Sequence, residues 1–217
     1  VYIPKAFVVS DSEKLVTFIG QHSFATLVTV DGSTPCASHL PLQLVESDDG
    51  RQRLLGHMAR ANDQWRHFQE DSDVLAIFSG PHGYISPSWY TTDLAVPTWN
   101  YATVHVHGRP SLIEEHSRIV GLLEDLREVY ESSFDSPWPG PPSDEYRDRL
   151  IAGIVAFEIE ITRIEGKFKL GQNRSDADRD QVYQQLATSR SETHRKLAAL
   201  MKQEGLVTSA GETGTTL

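Results

Sequence analysis

The chain has 217 residues, enough to bury one substantial core, and its 39% hydrophobic and 23% charged content is that of an ordinary globular protein. No apolar run approaches the roughly 18 residues of a membrane-spanning helix, and the N-terminus VYIPKAFVVSDSEK lacks a basic stretch followed by an apolar one, so neither a membrane protein nor a secretory signal is expected. A net charge of −10 opposes indiscriminate attraction to nucleic-acid phosphates. The single Cys36 excludes an intramolecular disulfide framework and fits a reducing, cytoplasmic compartment.

In chain order, a first helix is expected near Asp11 to Gly20, followed by a β-branched strand FATLVTV (Phe24 to Val30) and an Asp31-Gly32 turn. The return segment CASHLPLQLV places Ser38, Leu40, Leu42 and Leu44 on one face and His39, Pro41 and Gln43 on the other, and Pro41 points to an edge or a bulge. RLLGHM (Arg53 to Met58) is a third strand running into ARANDQW, where Asn62 can cap a short helix begun by Asp63. VLAIF (Val74 to Phe78) reads as a short buried strand before an aromatic-rich loop, SGPHGYISPSWY. From about Thr98 to Ile113, Trp99, Tyr101, Thr103, His105 and His107 alternate with Asn100, Ala102, Val104 and Val106, as in a strand.

Ile119, Leu122, Leu123, Leu126 and Tyr130 keep a helical period. After a Pro-rich connector (Ser132 to Ser143), a second short helix starts with Ser143 as its cap. IVAFEIEIT (Ile154 to Thr162) alternates apolar residues with Glu158 and Glu160, the pattern of a half-exposed antiparallel strand. Ser175 and Asp178 form a capping box for a helix reaching about Leu186, a further helix is expected over Glu192 to Met201, and residues 208–217 are expected to be disordered. Strands joined by turns rather than by regular crossover helices favour a mainly β, antiparallel barrel with peripheral helices over a doubly wound sheet.

Several residue types here suit a planar anionic ligand. In GHMARAN, His57, Arg60 and Asn62 are donors beside a helix start, although a plain capped turn with Arg60 in solvent explains the same string. Trp65, Trp89, Trp99 and Tyr101 offer flat surfaces for stacking or for closing a dimer, or fill the core. Lys167 and Lys169 flank Phe168 on one strand face, where they meet negative charge or deter edge aggregation. His105 and His107 have a metal-compatible spacing with no evident third ligand. No GxSxG, GxGxxG or P-loop string occurs, which leaves hydrolase-elbow, Rossmann and NTPase readings without support. From Arg163 to Lys202 the local charge is +4, a solvated helical face or a partner for an anion.

Seven strings in order carry a more specific signal: YIPKAF (Tyr2 to Phe7), HSFATLVT (His22 to Thr29), SHLPL (Ser38 to Leu42), GHMARAN (Gly56 to Asn62), GPHGYISPSWY (Gly80 to Tyr90), VPTWNY (Val96 to Tyr101) and GKFKLGQNR (Gly166 to Arg174). Together they resemble the PaiB-type family of FMN-binding negative transcriptional regulators, among the split-barrel flavin proteins. The resemblance implies a six-stranded split barrel over residues 1–174, a helical insertion at about 114–151, a C-terminal helical extension at 175–207, and a homodimer with FMN near the subunit boundary. Carried across, Ser38, His39, Leu40, His57, Ala59, Arg60 and Asn62 lie along one side of FMN, with Trp65 and Trp99 as flat surfaces. Lys169, Gln172 and Asn173 approach from the late strand, in this chain or its partner. A regulatory or redox-sensing role follows from the resemblance. The same ring site would serve a small flavin oxidoreductase using NAD(P)H, and haem binding through a histidine is a further alternative. No helix-turn-helix is found and the chain is acidic, so direct contact with DNA is not expected. Three departures stand out. Val1 replaces the family's usual Met, giving the expectation of a nearly complete chain; the Tyr90 to Val96 connection is short; and Gly171 replaces a small polar residue.

Overall fold

The computed structural model describes residues 1–46, 50–68, 73–92 and 94–207. In chain order its elements are β1 (Val8–Val9), α1 (Ser12–Gln21), β2 (Phe24–Asp31), β3 (Thr34–Pro41), β4 (Gln43–Glu46), β5 (Gln52–Ala59), β6 (Val74–Ile85), β7 (Thr98–Ile113), α2 (His116–Glu131), α3 (Asp144–Ile151), β8 (Ile154–Lys169), α4 (Asp176–Ala187) and α5 (Glu192–Gln203). The strands form one open sheet in the order β3-β2-β6-β7-β8-β5-β4, with β1 added on β8. β1 and β4 are only two and four residues long, so six longer strands carry the sheet. The β2–β3, β2–β6, β4–β5, β5–β8 and β1–β8 pairs are all antiparallel. The expected tail at 208–217 lies outside the described residues.

The chain divides into two compact units, one comprising 12–78 and 104–164, the other comprising 1–11, 79–103 and the chain from Glu165. β6, β7 and β8 each run from one unit into the other. In the first unit, Asp31 pairs with Thr34 across a two-residue loop in which Gly32 takes φ +58, a conformation glycine adopts without steric cost. β3 ends at Pro41, which donates no ladder hydrogen bond, and the chain resumes as β4 against β5. Leu40 and Leu42 turn inward, and a Cβ on Gly56 of β5 would stand only 2.6 Å from the Leu42 side chain; glycine is what lets these strands close on each other.

α2 packs Leu122 and Leu126 against Ile113 of β7 and Ala156 of β8, with Leu55 of β5, Ile119 and Leu123 around them. This contact revises the half-exposed reading of β8. Glu158 is only 9% exposed because α2 covers it, and its two carboxylate oxygens accept from Arg53 Nη1 at 3.1 Å and Arg118 Nη2 at 2.7 Å.

In the second unit, the segment after Phe78 is not the loop expected from its glycines and prolines. β6 continues to Ile85, with His82 and Tyr84 outward and Gly83 and Ile85 buried. A Cβ at Gly83 would lie 3.0 Å from His194 and 3.2 Å from Leu197, both on α5, so the glycine admits the helix. Ser175 caps α4 by accepting from the Asp178 amide, and the Asp178 carboxylate in turn accepts from both the amide and the hydroxyl of Thr91.

Gly108 of β7 gives a direct test of strand packing, since a Cβ there would sit 2.3 Å from the Glu160 carbonyl oxygen. Gly108→Ala is expected to cost about 1–3 kcal/mol, seen as a lower urea midpoint at unchanged slope. Gly121→Ala on α2, with nothing within 4 Å of the new methyl, is expected to leave stability unchanged or raise it by roughly 0.5–1 kcal/mol.

Candidate functional site

In the first unit, the strand alternation separates the residues singled out on β3. Leu40 is buried in the core, whereas His39 is exposed, lies opposite Thr26 and stacks with Phe24 at a ring separation of 6.4 Å. The turn after β5 is anchored back onto these strands. Asn62 Nδ2 donates to Ser38 Oγ at 2.8 Å, and Asn62 Oδ1 accepts from the Gln64 amide at 3.1 Å, capping the single 3-10 turn Asp63–His67. The buried Gln64 amide nitrogen donates to Leu27 O and Thr29 Oγ1. Arg60 follows the exposed Ala59 and donates through Nε to Ala152 O at 2.9 Å and through Nη2 to Ile154 O at 2.7 Å. Its own carbonyl accepts from Trp65 Nε1 at 3.2 Å. The turn after β5 is therefore a rim held by two separate hydrogen bonds, Asn62 to Ser38 and Trp65 to the Arg60 carbonyl, in which much of the donor capacity of Arg60 goes to backbone carbonyls.

His57 stands apart from that rim. It shares the outer face of β5 with Leu55, under α2 and α3, and lines a cavity of 530 Å³ closed by α2, the Pro-rich connector and α3. Of the residues singled out from the sequence for a ligand, His57 alone lines this cavity. Its Nδ1 is buried with no hydrogen-bond partner. Burial lowers the imidazole pKa from its ordinary 6.5, which keeps the ring neutral near pH 7.

The second unit holds a different arrangement on the outward face of β7 and β8. Lys169 Nζ donates to Thr98 Oγ1 and to the Trp99 carbonyl. Lys167 is 7% exposed, donates to Tyr2 O at 2.8 Å, and lies over the rings of Tyr2 and Tyr101 at 5.7 and 5.2 Å. Desolvation lowers the Lys169 pKa first, and repulsion from Lys167 and Arg174 lowers it further. Arg174 sits 4.5 Å over the Tyr90 ring. Gln172 closes the loop after β8, donating to Phe168 O and accepting from the Leu170 amide, while Asn173 is exposed. Gly171 in that loop has φ +90, which accounts for a glycine at this position. Trp99, half exposed, borders a shallow 430 Å³ groove with His82 and Tyr101.

These donors fit a phosphorylated flavin. Lys167, Lys169 and Arg174 crowd positive charge together, and neither lysine forms an ion pair among the described residues. An anion relieves that repulsion, and Trp99 supplies flat surface beside it. The His105 and His107 spacing finds no such support: no group of three or more His, Cys, Asp or Glu among the described residues is placed to hold a metal, and His107 Nε2 lies 3.1 Å from Arg163 Nη2. Sequence reasoning missed Arg127 and Trp138, which line the His57 cavity, and the Tyr2 contact of Lys167. Each depends on chain-distant packing that no local pattern announces.

The depressed pKa of His57 makes stability pH-dependent with a defined sign. The unfolded chain binds the His57 proton more readily, so this contribution is complete above pH 6.5 and is lost as pH falls through the lower folded-state value. Unfolding free energies measured between pH 7 and pH 5 are expected to fall more steeply for the native protein than for His57→Gln.

Comparison with known proteins places this geometry. Residues 1–163 match the family described as "Putative FMN-binding domain". The chain is 38% identical over 205 residues to the Protease synthase and sporulation protein PAI 2 of Bacillus subtilis, covering 94% of this chain and 97% of that protein. Protein AN0679 of Emericella nidulans is 29% identical over 205 residues, covering 78% and 82%. Among solved structures, the flavocytochrome Anf3 from Azotobacter vinelandii aligns with a TM-score of 0.59 at 13% identity, over 78% of this chain and 73% of that one. The FAD and heme binding protein from Mycobacterium smegmatis aligns at 0.58 and 16%, over 79% and 77%. At such identities these two show the fold alone, an α+β split barrel. The match to PAI 2 over nearly its whole length and the family match over residues 1–163 go further: the chain belongs to the PaiB-type family of FMN-binding proteins, and its cofactor is FMN.

Proposed function

We propose that this chain is a dimeric, cytoplasmic flavoprotein in which bound FMN serves a redox-responsive, negative regulatory role, without direct contact between this chain and DNA. The observation that carries the flavin chemistry is the cluster of Lys167, Lys169 and Arg174 beside Trp99, in which the Lys169 ammonium is desolvated and repelled by its two cationic neighbours, in a chain of an FMN-binding family. FMN, when bound, supplies a ring that accepts and returns electrons. Lys169 holds negative charge of the cofactor, Trp99 offers its flat face, and Gln172 and Asn173 offer amides. The first unit, of this chain or of a partner, offers Ser38, His39, Leu40, Ala59, Arg60, Asn62 and Trp65, while His57 lines the cavity under α2 and α3.

Dimerisation is supported by the outer face of β2 and β3. Phe24 is 67% and Val30 56% exposed there, and His39 stacks on Phe24, which gives a partner copy apolar and aromatic surface to cover. No helix of the described residues is long and apolar enough to cross a membrane. The single, half-buried Cys36 suits a reducing compartment.

The purified protein is expected to be yellow, or to quench its tryptophan fluorescence on FMN addition, and to run as a dimer in light scattering. Colourless protein that gives no quenching on titration would sink the flavin reading. Lys169→Met is expected to weaken FMN by about 10- to 150-fold, the equivalent of about 1.5–3 kcal/mol for a hydrogen bond to a charged group, and riboflavin by less if the ammonium meets the phosphate. Equal losses for the two ligands would place Lys169 on the ring.

A further inference from the structure

We propose that the cavity roofed by α2 and α3 binds a second, non-flavin ligand: an apolar organic monoanion whose charged end meets Arg127 and whose apolar body lies among the apolar side chains of α2, α3 and the connector. This goes beyond the flavin reading, which draws on no residue of the cavity. At 530 Å³ the space falls within the roughly 300–1,000 Å³ of small-molecule sites. Its walls are apolar, with Val120 and Leu123 from α2, Leu150 and Ile151 from α3, Ile154 from β8 and the Trp138 ring from the connector.

The polar groups decide the ligand class. Arg147 is neutralised by Asp144 at 2.9 Å and Asp148 at 3.3 Å. Glu124 and Asp144 line the cavity but are solvent-exposed, where water and salt screen them. Arg127 is half-buried and forms no ion pair or hydrogen bond among the described residues, and its Cδ and Nε come within 3.9 Å of where a Cβ on Gly140 would stand. Gly140, at φ +104, lets the connector close over the guanidinium. Among the described residues Arg127 is therefore the cation of this lining that no carboxylate pairs with. The His57 ring lines the cavity as well, and burial lowers its pKa, so it adds no charge to compete with Arg127.

The test is a calorimetric titration of FMN-saturated protein with 8-anilinonaphthalene-1-sulfonate, an apolar aromatic monoanion. One saturable site per chain is expected, weakened about tenfold or more by Arg127→Gln, because a hydrogen bond to a charged group is lost. Leu123→Trp, which fills the cavity, is expected to abolish it. Both variants should bind FMN as the native protein does, which also shows that they fold. No saturable site, or binding that neither variant alters, overturns the proposal. So does one-for-one competition with FMN, which would give the cavity to the flavin. A chain that bound no FMN would defeat the flavin reading alone, because the sulfonate titration is then read without the cofactor.

Discussion

The carboxylate of Glu158 is the constraint on which the first unit depends. A buried ion is retained only when its lost hydration is replaced by close, charge-assisted hydrogen bonds, and Glu158 has two, from Arg53 on β5 and Arg118 on α2. These bonds do more than settle a charge. They fasten α2 to β8 at its first turn, while the apolar cluster of Ile113, Leu122, Leu126 and Ala156 fixes the helix further along. With α2 held there, the outer face of β5 is roofed rather than wet, and that roof desolvates His57. Removing the carboxylate would leave two guanidinium groups without their shared acceptor and would loosen the hold of α2 on β8.

Strand alternation then assigns chemistry to faces. On β5, Leu54, Gly56 and Met58 point into the core, while Leu55 and His57 point under the insertion helices. On β3 the core takes Leu40, leaving His39 outside with Phe24. A one-residue slip in either strand would exchange these sets, burying histidines in the apolar interior and exposing leucines. Gly56 prevents the slip from being neutral, because any side chain at that position meets Leu42 and Phe157.

Much of this was legible in the sequence where the determinants are local. Asn62, Ser143 and Ser175 each sit before a helical segment, and each accepts from the amide that its capping role requires. The period-two pattern of Trp99 to Val106 survives in β7, with Asn100, Ala102, Val104 and Val106 buried. What failed to show was long-range. The glycines and prolines of residues 79–85 read as loop, but Gly83 is where α5 packs, and that packing compensates for poor strand propensity. Glu158 looked solvent-facing because its partners lie 105 and 40 residues away in sequence. Arg60 looked like a free donor, since nothing local shows that Ala152 and Ile154 present it with carbonyl oxygens. Of the site, the residue types were visible in sequence, and their commitments to one another were not.

The charge distribution ties these observations to ligand binding. The chain as a whole is acidic, yet Lys167 and Lys169 are packed with tyrosine faces, backbone carbonyls and a threonine hydroxyl, while Arg174 lies over the Tyr90 ring and, after the Thr91 hydrogen bonds, helps to lower the pKa of Asp178. Such packing orients the ammonium groups without neutralising them. The lowered pKa of Lys169 records the resulting strain, since desolvation and its cationic neighbours both disfavour the proton it carries. A bound anion stabilises that proton and is stabilised by it, so occupancy and protonation are linked in the same direction. An ion pair built from the protein's own carboxylates would hold the strand as firmly and would leave no unspent attraction for a guest. That Lys167 and Lys169 donate to carbonyl and hydroxyl oxygens, with no ion pair to a carboxylate among the described residues, distinguishes this face from an ordinary salt-bridged surface.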